Sequence, residues 1–300
     1  MRILVTGGAG FIGSHTVDAL VREGHEVSIV DDLSTGRRAN LSMDYKFYNQ
    51  DLSRGLEKVF QIEEPEIVYH LAFRADAVKM MEDPRLSLKN ISMSLELLNL
   101  SRGHGVEKFI FISSGAVYGS LKELSSEEDP VKLVNPYAVS KYSVESYVRF
   151  YSDQLGLPGT ILRYPVVYGP RQVIGHVADY MLRIRRGDKV DMWGDGTKTR
   201  DYVYVSDVVK ANLLALSLPG TGQTYNIGSG RATQLNEMHS IISDYFDSKD
   251  PPRYNPERPG EIQDCVLNST KFRLTTGWIS TISPRQGLIM RLESLVKENV

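Results

Sequence analysis

A short apolar run, Ile3-Leu4-Val5, leads straight into Thr6-Gly7-Gly8-Ala9-Gly10-Phe11-Ile12-Gly13, and helical apolar spacing follows. No other feature restricts the fold of the chain so tightly. Glycines at a strand-to-helix turn let the backbone bend sharply, come close to a charged group and pack helix on strand. The first amides of the helix then face that group. The run reads as Gly8-x-Gly10-x-x-Gly13 or as Gly7-x-x-Gly10-x-x-Gly13, and spacing alone leaves both registers open. A second apolar run at 27–30 ends in Asp31-Asp32, 18 residues beyond Gly13. A carboxylate there accepts hydrogen bonds from an adenosine ribose and repels a 2′-phosphate. NAD is therefore the expected cofactor, with Arg37 and Arg38 leaving NADP as the lesser reading. The site is expected to use Gly7, Gly10, Phe11, Ile12 and Gly13 at the turn, and Asp31, Asp32, Ser34 and Gly36 after the second strand.

Further apolar runs at 45–48, 67–71, 108–112 and 159–163 alternate with helical patterns near 11–22, 55–61, 85–103 and 137–155. Such alternation predicts an α/β fold, a Rossmann-type doubly wound parallel sheet covered on both faces. After Pro165 the pattern loosens into glycine, proline and short mixed elements. Residues 1–165 are read as the dinucleotide-binding domain. Residues 166–300 are read as mainly a smaller C-terminal α/β substrate domain, with segments that return to the first. Asp51-Leu52, after the third strand, are placed at the adenine, although an Asp there caps a turn equally well. Leu71-Ala72, after the fourth, are placed beside the cofactor. His70 is read as structural because no second ligand accompanies it, and no cluster has metal-binding spacing.

Net charge is −2, with acids and bases mixed along the chain, so no field is set up to recruit nucleic acid or an anionic membrane. A single cysteine, Cys265, rules out an intrachain disulfide. With no signal-like start and no ~18-residue apolar stretch, a cytoplasmic protein is expected.

Tyr137-Ala138-Val139-Ser140-Lys141 opens the long helix after Asn135-Pro136. A separation of four puts Tyr137 and Lys141 on one helical face. An isolated Tyr, with a pKa of about 10, is too weak an acid to act as a base near neutrality. A neighbouring ammonium and a positive nicotinamide ring would lower that value, so that the phenolate could take a proton from a hydroxyl as hydride leaves the same carbon. The order carries the argument: glycine turn, Asp31, Ser113-Ser114 after the fifth strand, then Tyr137 and Lys141. Each falls at a strand's C-terminal end, where open α/β sheets bind ligands. Ser114, rather than Ser113, is expected to share the reacting proton with Tyr137.

Together with Val117-Tyr118-Gly119 and Gly169-Pro170-Arg171, these motifs resemble those of the extended short-chain dehydrogenases, and most of all the UDP-galactose (UDP-glucose) 4-epimerases. The resemblance covers almost the whole chain. It implies bound NAD, a UDP-sugar substrate, a homodimer packed through the helices near 85–103 and 140–155 (Leu95, Leu97, Leu98, Tyr142, Tyr147), and C4 epimerisation. It places Asn90 and Tyr164 at the cofactor. It places Arg200 and Arg258 on the diphosphate, where guanidinium pairs well with phosphate, and Glu261 on the uridine ribose. Family dehydratases carry an acid directly after the active-site Ser or Thr, and decarboxylases tend to carry a Glu nearby. Here Gly115-Ala116 follow Ser114, which disfavours both. Asp31 disfavours NADPH-consuming reductases. UDP-glucuronate epimerisation stays open as an alternative, and an intact Tyr-Lys pair argues against a non-enzymatic NAD sensor.

Three departures from the family pattern stand out. Val166 replaces an Asn that contacts ligand, Phe73-Arg74 bring bulk where small residues and Gln are usual, and Met93 replaces a Gly. Cys265 matches a position that is Tyr in epimerases confined to plain hexoses, so its small thiol predicts room for UDP-N-acetylhexosamines.

Overall fold

The structure is a computed structural model that describes residues 1–43, 45–120 and 124–297. Its first half runs β1 (Arg2–Thr6), α1 (Phe11–Arg22), β2 (Glu26–Asp31), β3 (Lys46–Asn49), α2 (Glu57–Glu63), β4 (Ile67–His70), α3 (Ala77–Glu82), α4 (Leu86–Gly103), β5 (Lys108–Ser114), α5 (Pro136–Leu155) and β6 (Gly159–Tyr164). Its second half runs β7 (Val166–Tyr168), α6 (His176–Arg186), β8 (Asp191–Trp193), β9 (Thr199–Arg200), β10 (Tyr202–Tyr204), α7 (Val205–Ala215), β11 (Thr221–Asn226), β12 (Thr233–Gln234), α8 (Leu235–Tyr245), β13 (Arg253–Asn255), β14 (Asp264–Cys265), α9 (Thr270–Thr276) and α10 (Pro284–Lys297).

Seven strands form one sheet in the order β11-β6-β5-β4-β1-β2-β3. The β1–β2, β2–β3, β1–β4 and β4–β5 pairs are parallel. Strand order therefore reverses beside β1: β2 and β3 lie on one side, and β4, β5 and β6 on the other. A crevice opens where the crossovers leave β1 and β4 in opposite directions. The glycine turn follows β1 and Leu71-Ala72 follow β4, so both flank that switch point.

The chain packs as two compact units. One holds residues 1–117, 133–163 and 209–225; the other holds 118–132, 164–208 and 226–300. The core of the first joins Leu4, Val30, Val68, Phe109 and Phe111 of the strands to Leu97, Leu98, Val144 and Val148 of α4 and α5. The core of the second gathers Tyr168, Met181, Met192, Tyr202, Met238 and Leu292.

One expectation changes here. Leu97 and Leu98 are buried in the core of their own unit, at 1% and 0% exposure, and cannot face a partner subunit. Tyr147, also expected on that face, is exposed, and the other apolar side chains that α4 and α5 leave exposed are Leu86, Leu88, Val139 and Phe150. A later segment also returns to the sheet, β11 joining it from beyond residue 220. Its residues, Thr-Gly-Gln-Thr-Tyr-Asn, are too polar to read as a strand from pattern alone.

Candidate active site

The glycine turn shows why each glycine is needed. A Cβ on Gly13 would lie 2.1 Å from the Gly7 carbonyl oxygen, and one on Gly7, whose φ is +71°, would lie 2.6 Å from the Ala72 amide nitrogen. Backbone therefore lines the turn, and no side chain caps α1 at Gly10, which leaves its first amides for an anion. Gly8 serves packing instead, since a Cβ there would strike Ile29 at 2.7 Å. Asp31 is buried, and its carboxylate accepts from the amides of Ala9 (2.9 Å) and Leu33 (2.8 Å). Burial pushes its pKa up, against those hydrogen bonds. A Cβ on Gly36 would press on the same carboxylate at 2.8 Å. Asp32 accepts from the amide of Ser34 at 2.9 Å.

Asp51 caps the turn Leu52–Arg54 through the Ser53 amide (3.0 Å) and pairs with the Lys89 ammonium, which holds its carboxyl well below the usual range. Leu52 is buried beneath it. Asn90 is fully buried and spends both ends of its amide on Arg74: Oδ1 accepts from the Arg74 amide and Nδ2 donates to the Arg74 carbonyl, each at 3.0 Å. It braces the loop after β4. His70 is structural: Nδ1 meets Thr6 Oγ1 and Nε2 meets Ser94 Oγ, both at 2.8 Å, while Ser94 donates to the Asn90 carbonyl. With Ser94's proton so used, His70 carries its proton on Nε2. Burial and the Lys141 charge push its pKa down to about 3, so the ring stays neutral.

Asn135 caps α5 by accepting from the Ala138 amide at 2.9 Å, and Pro136 occupies the first turn. These fix where Tyr137 and Lys141 start. The Ser114 hydroxyl hydrogen-bonds to the Tyr137 phenol in the sense that favours phenolate, yet burial dominates and lifts the phenol to about 12. The expected lowering calls on the nicotinamide charge in addition to these groups. Lys141 lies 6.0 Å from the Tyr137 ring centroid, and burial pushes Lys141 itself down to about 7. Its ammonium donates to the Ile112 carbonyl at 2.6 Å and sits 3.6 Å from the Phe73 ring centroid. Ser113 faces away from this pair, donating to buried Glu145 at 2.5 Å. Glu145 also takes both the Nε (2.9 Å) and a terminal nitrogen (2.6 Å) of Arg163, together with Arg149 at 2.7 Å.

In the second unit, Arg200, Arg258 and Glu261 line one cavity of about 430 Å³. Sequence reasoning missed the rest of its wall, notably His176, Asp179, Tyr180, Arg183, Asp191 and Trp193. These come from α6 and β8, short elements without a motif. Arg258 stacks on Trp193, 3.6 Å from the ring centroid. Arg200 gives hydrogen bonds to the carbonyls of Thr199, Gln263 and Ile262 at 2.5–2.9 Å, so it ties β9 to the segment before β14 while charging the cavity. Burial and that charge push His176 down to about 4. Glu261 lies 3.0 Å from the ammonium of buried Lys198. Asp201, next to Arg200, is a fully buried carboxylate that accepts from Ser229, Gly230 and Leu267 and so shapes the loop. Cys265 is buried opposite Arg200, its thiol pushed up to about 11, and does not line the cavity. Tyr164 is buried at the end of β6.

A glycine turn at the switch point of a doubly wound sheet, with Ser114, Tyr137 and Lys141 after the next strands, defines an enzyme of the extended short-chain dehydrogenase class. Residues 3–228 match the NAD dependent epimerase/dehydratase family, and the chain belongs to it. A UDP-glucose 4-epimerase of Mycolicibacterium smegmatis is 35% identical over 98% of both chains. Among solved structures, a UDP-glucose 4-epimerase of Thermotoga maritima with UDP-glucose is 40% identical over 100% of both chains, with a TM-score of 0.95. That of Thermus thermophilus with NAD is 37% identical over 98% of both, with a TM-score of 0.92. Among the described residues no helix is long and apolar enough to cross a membrane.

Proposed function

We propose that the chain is an NAD-dependent nucleotide-sugar 4-epimerase that interconverts UDP-glucose and UDP-galactose. One observation carries this reading: the Ser114 hydroxyl sits on the Tyr137 phenol, one helical turn before a buried Lys141, with no acid beside Ser114 to expel water. Full-length similarity to UDP-glucose 4-epimerases supports the same substrate.

The residues fit NAD. Bare backbone at Gly7, Gly10 and Gly13, with the amides of Phe11 and Ile12, suits a pyrophosphate. A carboxylate has about four lone-pair sites, so Asp31 can take ribose hydroxyls besides its two amides, while its charge turns away a 2′-phosphate. Asp32, Ser34 and Gly36 complete that end, Asp51 and Leu52 flank the adenine, and Leu71, Ala72, Asn90 and Tyr164 frame the nicotinamide end. When bound, NAD supplies an acceptor for the hydride at the sugar's C4 and a donor for its return.

Tyr137 takes the proton of the C4 hydroxyl and later gives it back, and Ser114 steadies that oxygen and shares the proton. Lys141 offers its ammonium to the nicotinamide ribose and favours phenolate at Tyr137 once a cationic ring lies nearby. Arg258, the charge of Arg200, and Glu261 hold the nucleotide. The hexose, held at Tyr137 and Ser114, presents either face of C4.

Exposed Val139, Tyr147 and Phe150, spaced along one side of α5, with Leu88 of α4, support a homodimer through these helices. A single cysteine in the whole sequence, buried, supports a reducing, cytoplasmic setting. The test is incubation with UDP-glucose, UDP-galactose, UDP-glucuronate and UDP-N-acetylglucosamine without added reductant. The C4 epimer of UDP-glucose should form with wild type and be lost in Tyr137→Phe. Epimer formation undiminished in Tyr137→Phe would reject the assignment.

A further inference from the structure

We propose that Phe73 is a positioning residue for Lys141, using the face of its ring to hold the ammonium against the Ile112 carbonyl and beside Tyr137. The inference deepens the role given to the Tyr137–Lys141 pair and rests on it. Phe73 enters from the loop after β4, and nothing in the glycine or Tyr-Lys motifs calls for an aromatic there. Its ring lies with its centroid 3.6 Å from Lys141 Nζ, closer than Phe111 at 4.9 Å or Tyr137 at 6.0 Å. The same ring meets Tyr137 edge-to-face, with centroids 6.0 Å apart and planes at 84°, and leans on Phe111 at 6.1 Å. One aromatic therefore touches both members of the pair. Asn90 fixes the loop that carries it through the two hydrogen bonds to Arg74, the next residue.

The physics follows from the negative face of the ring. An ammonium at 4% exposure has lost most of its water, and an apolar wall alone would drive it neutral. A phenyl face is apolar yet attracts the cation, and the attraction grows as water is excluded. Other charged and titratable groups act on Lys141 from the elements around it. Tyr137 and Glu145 lie on its own helix, with the Glu145 charge favouring the ammonium. Arg163 of β6 offsets that charge through its pair with Glu145. Neutral His70 stands at the end of β4. Phe73 thus adds a stabilising contact that needs no second buried ion.

The test replaces the π face while keeping an apolar wall. Phe73→Leu and Phe73→Tyr are made, and the Lys141 amine is titrated by NMR of protein labelled with ¹⁵N-lysine, its resonance assigned by loss in Lys141→Met. The pH profile of turnover is measured beside it. Phe73→Leu should lower the Lys141 midpoint by about one unit, a tenfold loss of proton affinity worth about 1.4 kcal/mol, within the range of a desolvated cation–π contact. It should move the alkaline limb of kcat down by the same amount, with Phe73→Tyr returning both towards wild type. An unchanged or raised midpoint in Phe73→Leu overturns the proposal, as does a shifted midpoint with an unshifted limb. The NMR titration stands apart from catalysis. A failure of the Tyr137–Lys141 assignment would show as turnover retained in Tyr137→Phe, whatever Phe73 does.

Discussion

Removing Glu145 should cost this protein far more stability than a typical charge deletion. The carboxylate is at 0% exposure and Arg163 at 2%, joined by two hydrogen bonds of 2.9 and 2.6 Å. Ser113 and Arg149 complete its shell at 2.5 and 2.7 Å. In Glu145→Ala the Arg163 guanidinium stays buried without its counter-ion, and breaking such a pair costs about 3–5 kcal/mol. At roughly 2–4 °C per kcal/mol for a chain of this size, Tm should fall by on the order of 10 °C. Replacing both partners with apolar residues, Glu145→Leu with Arg163→Met, should recover most of that loss, because the penalty lies in the orphaned charge rather than in the missing bond. Urea and thermal unfolding followed by circular dichroism, on Glu145→Ala, on Arg163→Met and on the double variant, measure all three terms. A Glu145→Ala protein within about 1 kcal/mol of wild type, or a double variant as weak as the worse single, would refute the reasoning.

Three further outcomes are expected. Gly13→Ala, with its Cβ forced to 2.1 Å from the Gly7 oxygen, should abolish or displace NAD while leaving far-ultraviolet circular dichroism unchanged; NAD released on denaturation and read by fluorescence checks it. Asp31→Ala removes the acceptor for the Ala9 and Leu33 amides and the proposed ribose contact, so NAD affinity should fall at least tenfold by calorimetry, about 1.4 kcal/mol. Trp193→Ala takes the platform from under Arg258, and KM for the UDP-sugar should rise about 2- to 30-fold with kcat nearly unchanged, the range of a cation–π contact felt equally in ground and transition states.

The first half of the fold was legible because its strands are unbroken apolar runs and its helices periodic. The observed β5 and α5 start within one residue of the predicted positions. Strand order was not written in those runs, and β11 escaped notice because an edge strand of Thr, Gln and Asn carries no apolar signature. In the candidate site, the grouping of Tyr137, Lys141 and Ser114 was legible from spacing and order. The state of Tyr137 was not, since its pKa depends on how much water the fold removes. Nor could spacing tell that Leu97 and Leu98 point inward, or that Arg200's donors are taken up by carbonyls from residues 262 and 263. Trp193 and His176 went unseen, and Phe73 was read as bulk alone, for one reason: each acts through a neighbour brought close only by tertiary packing.

In the proposed reaction the hydrogen on C4 leaves the sugar as hydride, stays with the protein and returns to the opposite face. UDP-glucose carrying deuterium at C4, turned over in ordinary water and followed by NMR and mass spectrometry of the UDP-galactose formed, tests it directly. Full retention of deuterium at C4 of the product is predicted. Loss of the label to solvent would contradict it.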